Sequence, residues 1–428
     1  MQHDPHGHPA SGTALLGGTL ATLAGPDRPR VGPELGEVEL LACGGMLFRE
    51  GRVAAVGSRD QVETVLRDTD VVVELEGRLV TPGFVDAHTH AVFAGSRAHE
   101  FEALCAGATY AEIAAAGGGI RSTMRAVRNA SEEELFRQSE RHVRWMMASG
   151  TTTAEIKSGY GLDVESEMKM LRVAGRIADC LGLRLRRTFL GAHTVPPEFE
   201  GRKDAYLHEV LGEMLPAVRS EGLAEAADMF VEERYFDAQD ARRLAEACKT
   251  HGMTLRLHVD QLHDGGGAAL AAELGARTAD HLEQTEEAGI RALAKAGVVP
   301  VLLPSSVFGL RLNRYPKARA MVDAGLPIVI ATDFNPGSSP FPSMAFAMAL
   351  ACRFMALSPR ETMVAATINA AYALGLGSEV GSLDPGKRAD AVIWDLQSVE
   401  EIPYLVGAPA IREVYVQGEP LRGGEGQG

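Results

Sequence analysis

The strongest constraint on this chain is the segment LVTPGFVDAHTH, which ends in His88-Thr89-His90. Its apolar opening, broken once by Pro-Gly, reads as a buried strand entering a sheet. Alternate residues of a strand point to the same face. His88 and His90 can therefore converge on one metal ion, for which neutral imidazole is a common ligand. A His-x-His pair on a surface would carry little meaning. At the end of a buried strand it marks a site, because catalytic residues of parallel barrels sit at the carboxyl ends of strands.

Seven further strand-like segments follow: GTTTAEIKSGYG from Gly150, LRLRRTFLGAH ending at His193, DMFVEE from Asp228, MTLRLHVDQ from Met253, RTADHLE from Arg277, VVPVLLPSS from Val298 and PIVIATDFNPG from Pro327. Between several of them lie segments with helical periodicity, such as SEEELFRQSERHVRWMMA and VESEMKMLRVAGRIADCLG. Ser131 followed by Glu134 forms a capping-box signature. Strands alternating with helices indicate parallel β/α units, and eight of them indicate a closed (β/α)8 TIM-like barrel, placed here over residues 80–375. No Gly-x-Gly-x-x-Gly follows an early strand, which argues against a doubly wound open sheet. Residues 13–79 and 376–428 carry short strands and turns. They read as one smaller, discontinuous β-sandwich domain built from both chain ends. Residues 1–12, with His3, His6 and His8 among Pro and Gly, read as a disordered tail.

Charge narrows the partners. The formal net charge of -15 disfavours nucleic acid and anionic membranes. No apolar run reaches the ~20 residues of a membrane span, and the first residues lack the pattern of a signal peptide. Five scattered cysteines (Cys43, Cys105, Cys180, Cys248 and Cys352) without a Cys-x-x-Cys fit a reducing cytoplasm. A small-molecule substrate is the expected partner, and apolar helix faces allow a homodimer.

Polar residues recur at the same ends of the strands. They are His88 and His90, Lys157 and Tyr160, His193, Glu232 and Glu233, His258 and Gln261, His281, and Asp333 with Asn335 and Gly337. One such histidine could be a satisfied core residue. A ring of them is a site. His142, His208, His251 and His263 fall on helix-like or loop segments and read as structural or surface.

His88-x-His90, His258, His281 and Asp333 in this order resemble the amidohydrolase superfamily of metal-dependent barrels. KSGYGL, GAHTVP, HVDQL, ADHLE and ATDFNPGS further resemble the imidazolonepropionase family of histidine degradation. The resemblance implies metal ligation by His88, His90, His258 and Asp333, with one divalent ion per chain, Zn or Fe. It implies substrate contacts at Arg97, Tyr160, His193, Gln261, Asn335, Gly337 and Ser338, and a catalytic role for His281 beside Asp333. Gln261 departs from members that carry Glu there, and an amide cannot serve as a general base. The end of the fourth strand has Glu232 and Glu233 rather than the carboxylated lysine of dinuclear relatives, which favours a mononuclear site, with Lys157 as a support residue.

The implied reaction is hydrolysis of the ring C–N bond of 4-imidazolone-5-propanoate to N-formimidoyl-L-glutamate. A divalent metal brings the pKa of bound water from ~15.7 towards ~7. Asp333 would take the water proton and pass it to the ring nitrogen, and His281 would hydrogen-bond the carbonyl oxygen. Arg97 would grip the propionate with its planar fork. The same metal set would serve another cyclic amidohydrolase or a purine or pyrimidine deaminase. A non-catalytic scaffold would be marked by lost ligands, and none is lost. The Gly117-Gly118-Gly119 loop reads either as a lid or as a turn.

Overall fold

The structure is a computed structural model that describes residues 11–108, 112 and 117–421. Residues 1–10, on which most of the expected tail with its three histidines falls, lie outside the described residues.

Eight parallel strands form the barrel sheet: β6 (Phe84–Asp86), β7 (Thr151–Lys157), β8 (Arg184–Ala192), β9 (Ala226–Val231), β10 (Thr254–Val259), β11 (Thr278–His281), β12 (Val299–Leu302) and β13 (Val329–Ile330). They pair in sequence order from β6 to β13. These are the eight segments expected from the sequence, each joined to the next through a crossover containing one or more helices. The first and last strands are joined just past their ends. Asp333 N donates to His88 O at 3.1 Å and His90 N donates to Phe334 O at 2.9 Å, around a bridge between Thr89 and Phe334.

The second sheet has eight strands drawn from both chain ends: β1 (Thr13–Ala21), β2 (Leu40–Arg49), β3 (Arg52–Ser58), β4 (Val71–Glu74), β5 (Leu79–Pro82), β14 (Ala391–Trp394), β15 (Ile411–Val416) and β16 (Glu419–Pro420). The strand expected over LVTPGFVDA is therefore two strands. β5 lies in this small sheet, antiparallel to β14, and β6 begins the barrel. The switch occurs at Gly83, whose N–H donates to Asp390 O while that of Phe84 donates to Gly150 O. A Cβ at Gly83 would stand 2.1 Å from Thr152 Oγ1, so the crossing from one sheet to the other requires glycine. Trp394 seals the junction, donating from Nε1 to Thr81 Oγ1 at 3.0 Å with its ring 5.9 Å from that of Phe84.

The helix Glu132–Ala148 shows how the outer layer supports the first strand. Ser131 and Glu134 form the expected capping box. Leu135, Ser139, His142, Val143, Met146 and Met147 are buried, a single stripe of helical period. His142 stacks on Phe93, with ring centroids 4.0 Å apart, and its Nδ1 lies 3.2 Å from Ala91 O. The helix thus props the chain immediately after His90. No helix among the described residues is long and apolar enough to cross a membrane.

Burial lowers the pKa of His142 to about 4. A histidine depressed in the folded state stabilises the protein only while neutral. That contribution is whole above the unfolded value of ~6.5 and is lost as the pH falls towards about 4. The full linkage is on the order of 3 kcal/mol at ~1.4 kcal/mol per pKa unit. His142→Gln should flatten the decline of melting temperature between these pH values, read by thermal unfolding of both proteins across a pH series.

Candidate active site

The site stands over the barrel seam. His88 Nε2 and His90 Nε2 each lie 3.6 Å from Asp333 Oδ1. Donor atoms of His88, His90 and Asp333 all fall within 4.8 Å of one another, as do those of His88, His258 and His281. The four expected ligands are thus gathered in two overlapping groups that share His88, and His281 joins the second. All five side chains are buried. His88 Nε2 and His258 Nε2 find no hydrogen-bond partner among the described residues. A buried imidazole nitrogen left without a partner is costly, and converging nitrogens beside a carboxylate are the donor set of a divalent transition-metal site. The residues therefore fit a metal ion. Burial holds His88 and His90 far below the ordinary histidine range, with the nearby Lys157 ammonium adding to the shift. They are neutral, as ligands must be.

The opposite faces of these imidazoles are held by carboxylates. His88 Nδ1 lies 2.7 Å from Asp280 Oδ2, and His258 Nδ1 lies 2.9 Å from Asp228 Oδ2. The Asp280 bond fixes which nitrogen of His88 faces the metal pocket, and the Asp228 carboxylate lies beside Nδ1 of His258. Both aspartates meet Lys157, whose Nζ is 2.8 Å from Asp228, 2.9 Å from Glu155 and 3.3 Å from Asp280. Glu155 in turn faces Arg256 at 3.1 Å. The barrel interior beneath the ligands is a packed layer of ions, where barrels of this kind usually carry branched aliphatics. Burial works against the Lys157 charge, but its three carboxylates outweigh that and raise its pKa.

Two ligating or catalytic positions have strained backbone. His281 has φ 82 and Asp333 has φ 51, in the left-handed region that non-glycine residues rarely adopt. At His281 this breaks the alternation of β11, so Asp280 and His281 both serve the site from adjacent positions. His281 Nδ1 lies 3.2 Å from the buried Glu283 carboxylate. Burial opposes the His281 charge, yet Glu283 raises its pKa overall. Burial also raises Asp333.

Above this floor is a cavity of about 240 Å³. His90, Arg97, Tyr160, His193, His258, Gln261, His281, Asp333, Asn335 and Ser338 line it, with Ile120, Phe230, Tyr235, Leu262, Leu310 and Leu312. His193 stacks on His90 at 5.3 Å, and burial pushes its pKa down to about 3. Asn335 Oδ1 accepts from the backbone N–H groups of Gly337 and Ser338, which shapes the turn after Asp333. Gly337 stands behind Arg97 rather than in the cavity wall. A Cβ there would meet Arg97 Nη1 at 2.2 Å. Arg97 is also braced by Glu100, which accepts from its Nε at 2.7 Å and from Gly119 N at 2.9 Å.

Glu232 and Glu233, at the end of β9, divide. Glu232 is turned to the next loop, where it accepts from Leu262 N and pairs with His263. Glu233 is exposed. Sequence reasoning missed Glu100, Glu155, Asp228, Asp280, Glu283 and Arg256. A signal existed for two of them. Glu155 and Arg256 each stand two residues before a named polar position, Lys157 and His258, and so share its face.

The amidohydrolase family model matches residues 79–421. An imidazolonepropionase of Solibacter usitatus is 48% identical over 94% of this chain and 96% of its own. Another from Rubrobacter xylanophilus is 47% identical over 95% and 98%. The chain belongs to the amidohydrolase family, among the imidazolonepropionases. Among solved structures, E. coli guanine deaminase superposes with a TM-score of 0.74 at 16% identity, covering 96% of this chain and 99% of its own. The guanine deaminase of Bradyrhizobium japonicum gives 0.71 at 14% identity, covering 96% and 99%. At such identities these two speak for the shared fold alone.

The buried, unpartnered imidazole nitrogens generate a prediction. Chelator-stripped protein should gain thermal stability when Zn2+ or Fe2+ is restored. The gain should be ~2.7 kcal/mol at a hundredfold excess over Kd, because the ion binds only the folded state. Asp333→Asn and His258→Ala should lose most of that gain, measured as the metal-dependent shift in melting temperature.

Proposed function

We propose that this amidohydrolase opens the ring of 4-imidazolone-5-propanoate by hydrolysis of a C–N bond, giving N-formimidoyl-L-glutamate. The observation that carries the reading is one small cavity with an imidazole–carboxylate cluster on its floor and the Arg97 guanidinium in its wall. At about 240 Å³ it lies below the ~300–1,000 Å³ usual for drug-sized ligands. It suits a single five-membered ring with a short acidic arm. The relatives named imidazolonepropionase at 47–48% identity support the same substrate.

His88, His90, His258 and Asp333 would hold one divalent ion, Zn or Fe. Beneath them Glu155, Asp228 and Asp280 meet two buried cations, Lys157 and Arg256, and Asp333 adds a carboxylate beside His88 and His90, a surplus of negative charge that suits a divalent cation. When bound, such an ion polarises the substrate carbonyl and makes water acidic enough to attack near neutral pH.

This chain's own residues do the rest. Arg97 grips the propionate, held in plane by Glu100 and backed by Gly337. Tyr160 and His193 position the ring from the ends of β7 and β8. His281, kept protonatable by Glu283, donates to the carbonyl oxygen as negative charge develops there. Asp333, whose pKa burial raises, accepts the proton of the attacking water and returns it to the departing ring nitrogen. Gln261 contacts substrate as a neutral amide, its Nε2 3.4 Å from Ser306 Oγ. Ser338 and Asn335 brace Asp333: Ser338 Oγ lies 3.4 Å from its Oδ2, and Asn335 Nδ2 donates to its backbone oxygen. The five cysteines are all free, which agrees with a reducing, cytoplasmic setting.

Initial rates on freshly prepared substrate test this reading. Arg97→Met should lower kcat/KM by roughly 10²–10³-fold, as expected for truncating a charge-assisted contact. Arg97→Lys should recover part of the loss. An analogue without the propionate should be a poor substrate and should not separate wild type from Arg97→Met. His281→Asn should lower kcat by orders of magnitude with metal content intact. Glu100→Gln should raise KM more than it lowers kcat, because Glu100 acts through Arg97. Hydrolysis or deamination of a neutral purine or pyrimidine, with imidazolonepropionate left untouched, would replace this reading by a deaminase one.

A further inference from the structure

Lys157 is the one lysine in the barrel interior among the described residues, and its side chain is fully buried. Its surroundings have the composition of a cation site. Donor atoms of His88, Glu155 and Asp280 lie within 4.8 Å of one another, and so do those of Asp228, His258 and Asp280. The ammonium stands within 3.3 Å of all three carboxylates. Glu155 Oε2 and Asp280 Oδ1 are buried and lack a well-aligned hydrogen bond, so the lysine does not saturate the cluster. Carboxylate oxygens of this kind suit hard cations.

We propose that Lys157 is a positioning residue that serves as a built-in cation. Its ammonium fills a second cation position beneath the metal pocket and ties Asp228 and Asp280 together, so that His258 and His88 turn their other nitrogens to a single ion. This rests on the reading of His88, His90, His258 and Asp333 as ligands. Two consequences follow. The position under the pocket is closed to a second metal in the native protein. Removing the ammonium together with its stem should open the position to an external cation, whereas removing only the charge should not, because an isosteric stem still fills the space.

Three proteins test this: wild type, Lys157→Ala and Lys157→Met. Each is loaded with one molar equivalent of zinc per chain and then titrated with Mn2+ in physiological salt. Zinc is counted by elemental analysis, bound Mn2+ by loss of the free-ion paramagnetic resonance signal, and stability by thermal unfolding. Wild type and Lys157→Met should hold one zinc and take up no tight Mn2+. Lys157→Ala should hold one zinc and bind about one further Mn2+ per chain. Mn2+ should raise the melting temperature of Lys157→Ala alone, above that of Lys157→Met, although methionine fills the space better. A purely structural lysine predicts the reverse order, with no response to Mn2+.

Tight Mn2+ uptake by zinc-loaded wild type overturns the inference. So does a Lys157→Ala protein that holds zinc but no Mn2+, or one that stays unfolded whether or not Mn2+ is present during refolding. If wild type holds no zinc, the ligand reading itself fails and the inference falls with it. Where every protein holds one zinc but the Mn2+ results go against the expectation, the ligand reading stands and only the role of Lys157 is removed.

Discussion

The structure depends on a seam of two backbone hydrogen bonds, from Asp333 N to His88 O and from His90 N to Phe334 O. Closing a barrel brings its first and last strands together over the full length of the chain between them. Here the closure is made by the residues that face the metal pocket. The two imidazoles of the first strand and the carboxylate after the last are brought together by the same contact that closes the sheet. The left-handed backbone at Asp333 is the local strain accompanying this arrangement. Asp86 secures the seam from below, accepting from Thr332 N and Thr332 Oγ1.

Beneath the seam, charge takes the place of an aliphatic core. Buried ions are favourable only when paired and hydrogen-bonded, and each member of this layer has several partners. Lys157 meets three carboxylates, Asp228 also accepts from Met229 N, and Glu155 also receives Thr188 Oγ1. The return on this arrangement is orientation. An imidazole tethered at Nδ1 by an aspartate has its tautomer and ring plane set before any ligand arrives. The cavity wall follows the same economy, with Glu100 holding the Nε edge of Arg97 while Gly337 leaves room for the guanidinium.

Much of this was legible in the chain. The period-two placement of His88 and His90, the eight strand-like segments and their polar ends all rest on local geometry, which spacing along the chain reports directly. The single strand expected over LVTPGFVDA was misjudged for a nonlocal reason. An apolar run shows that both halves are buried, but not that they are buried in different sheets, and the break at Gly83 is enforced by Thr152, far away in the sequence. Asp280 was missed because strict alternation directs it away from His281. The positive φ at His281 cancels that alternation, and no sequence pattern announces a strained non-glycine residue.

The sequence by itself determined which strands end in metal-binding and substrate-facing side chains, because that depends only on residue type and on strand periodicity. Tertiary structure alone decided how those side chains are held. Asp228, Asp280 and Glu155 lie on three different strands, and only closure of the barrel brings them to one ammonium, tethers His88 at Nδ1 and sets the Asp228 carboxylate beside His258. Pairings of that kind depend on distance through space in a medium of low polarity, where a charge must find its partners wherever the fold places them.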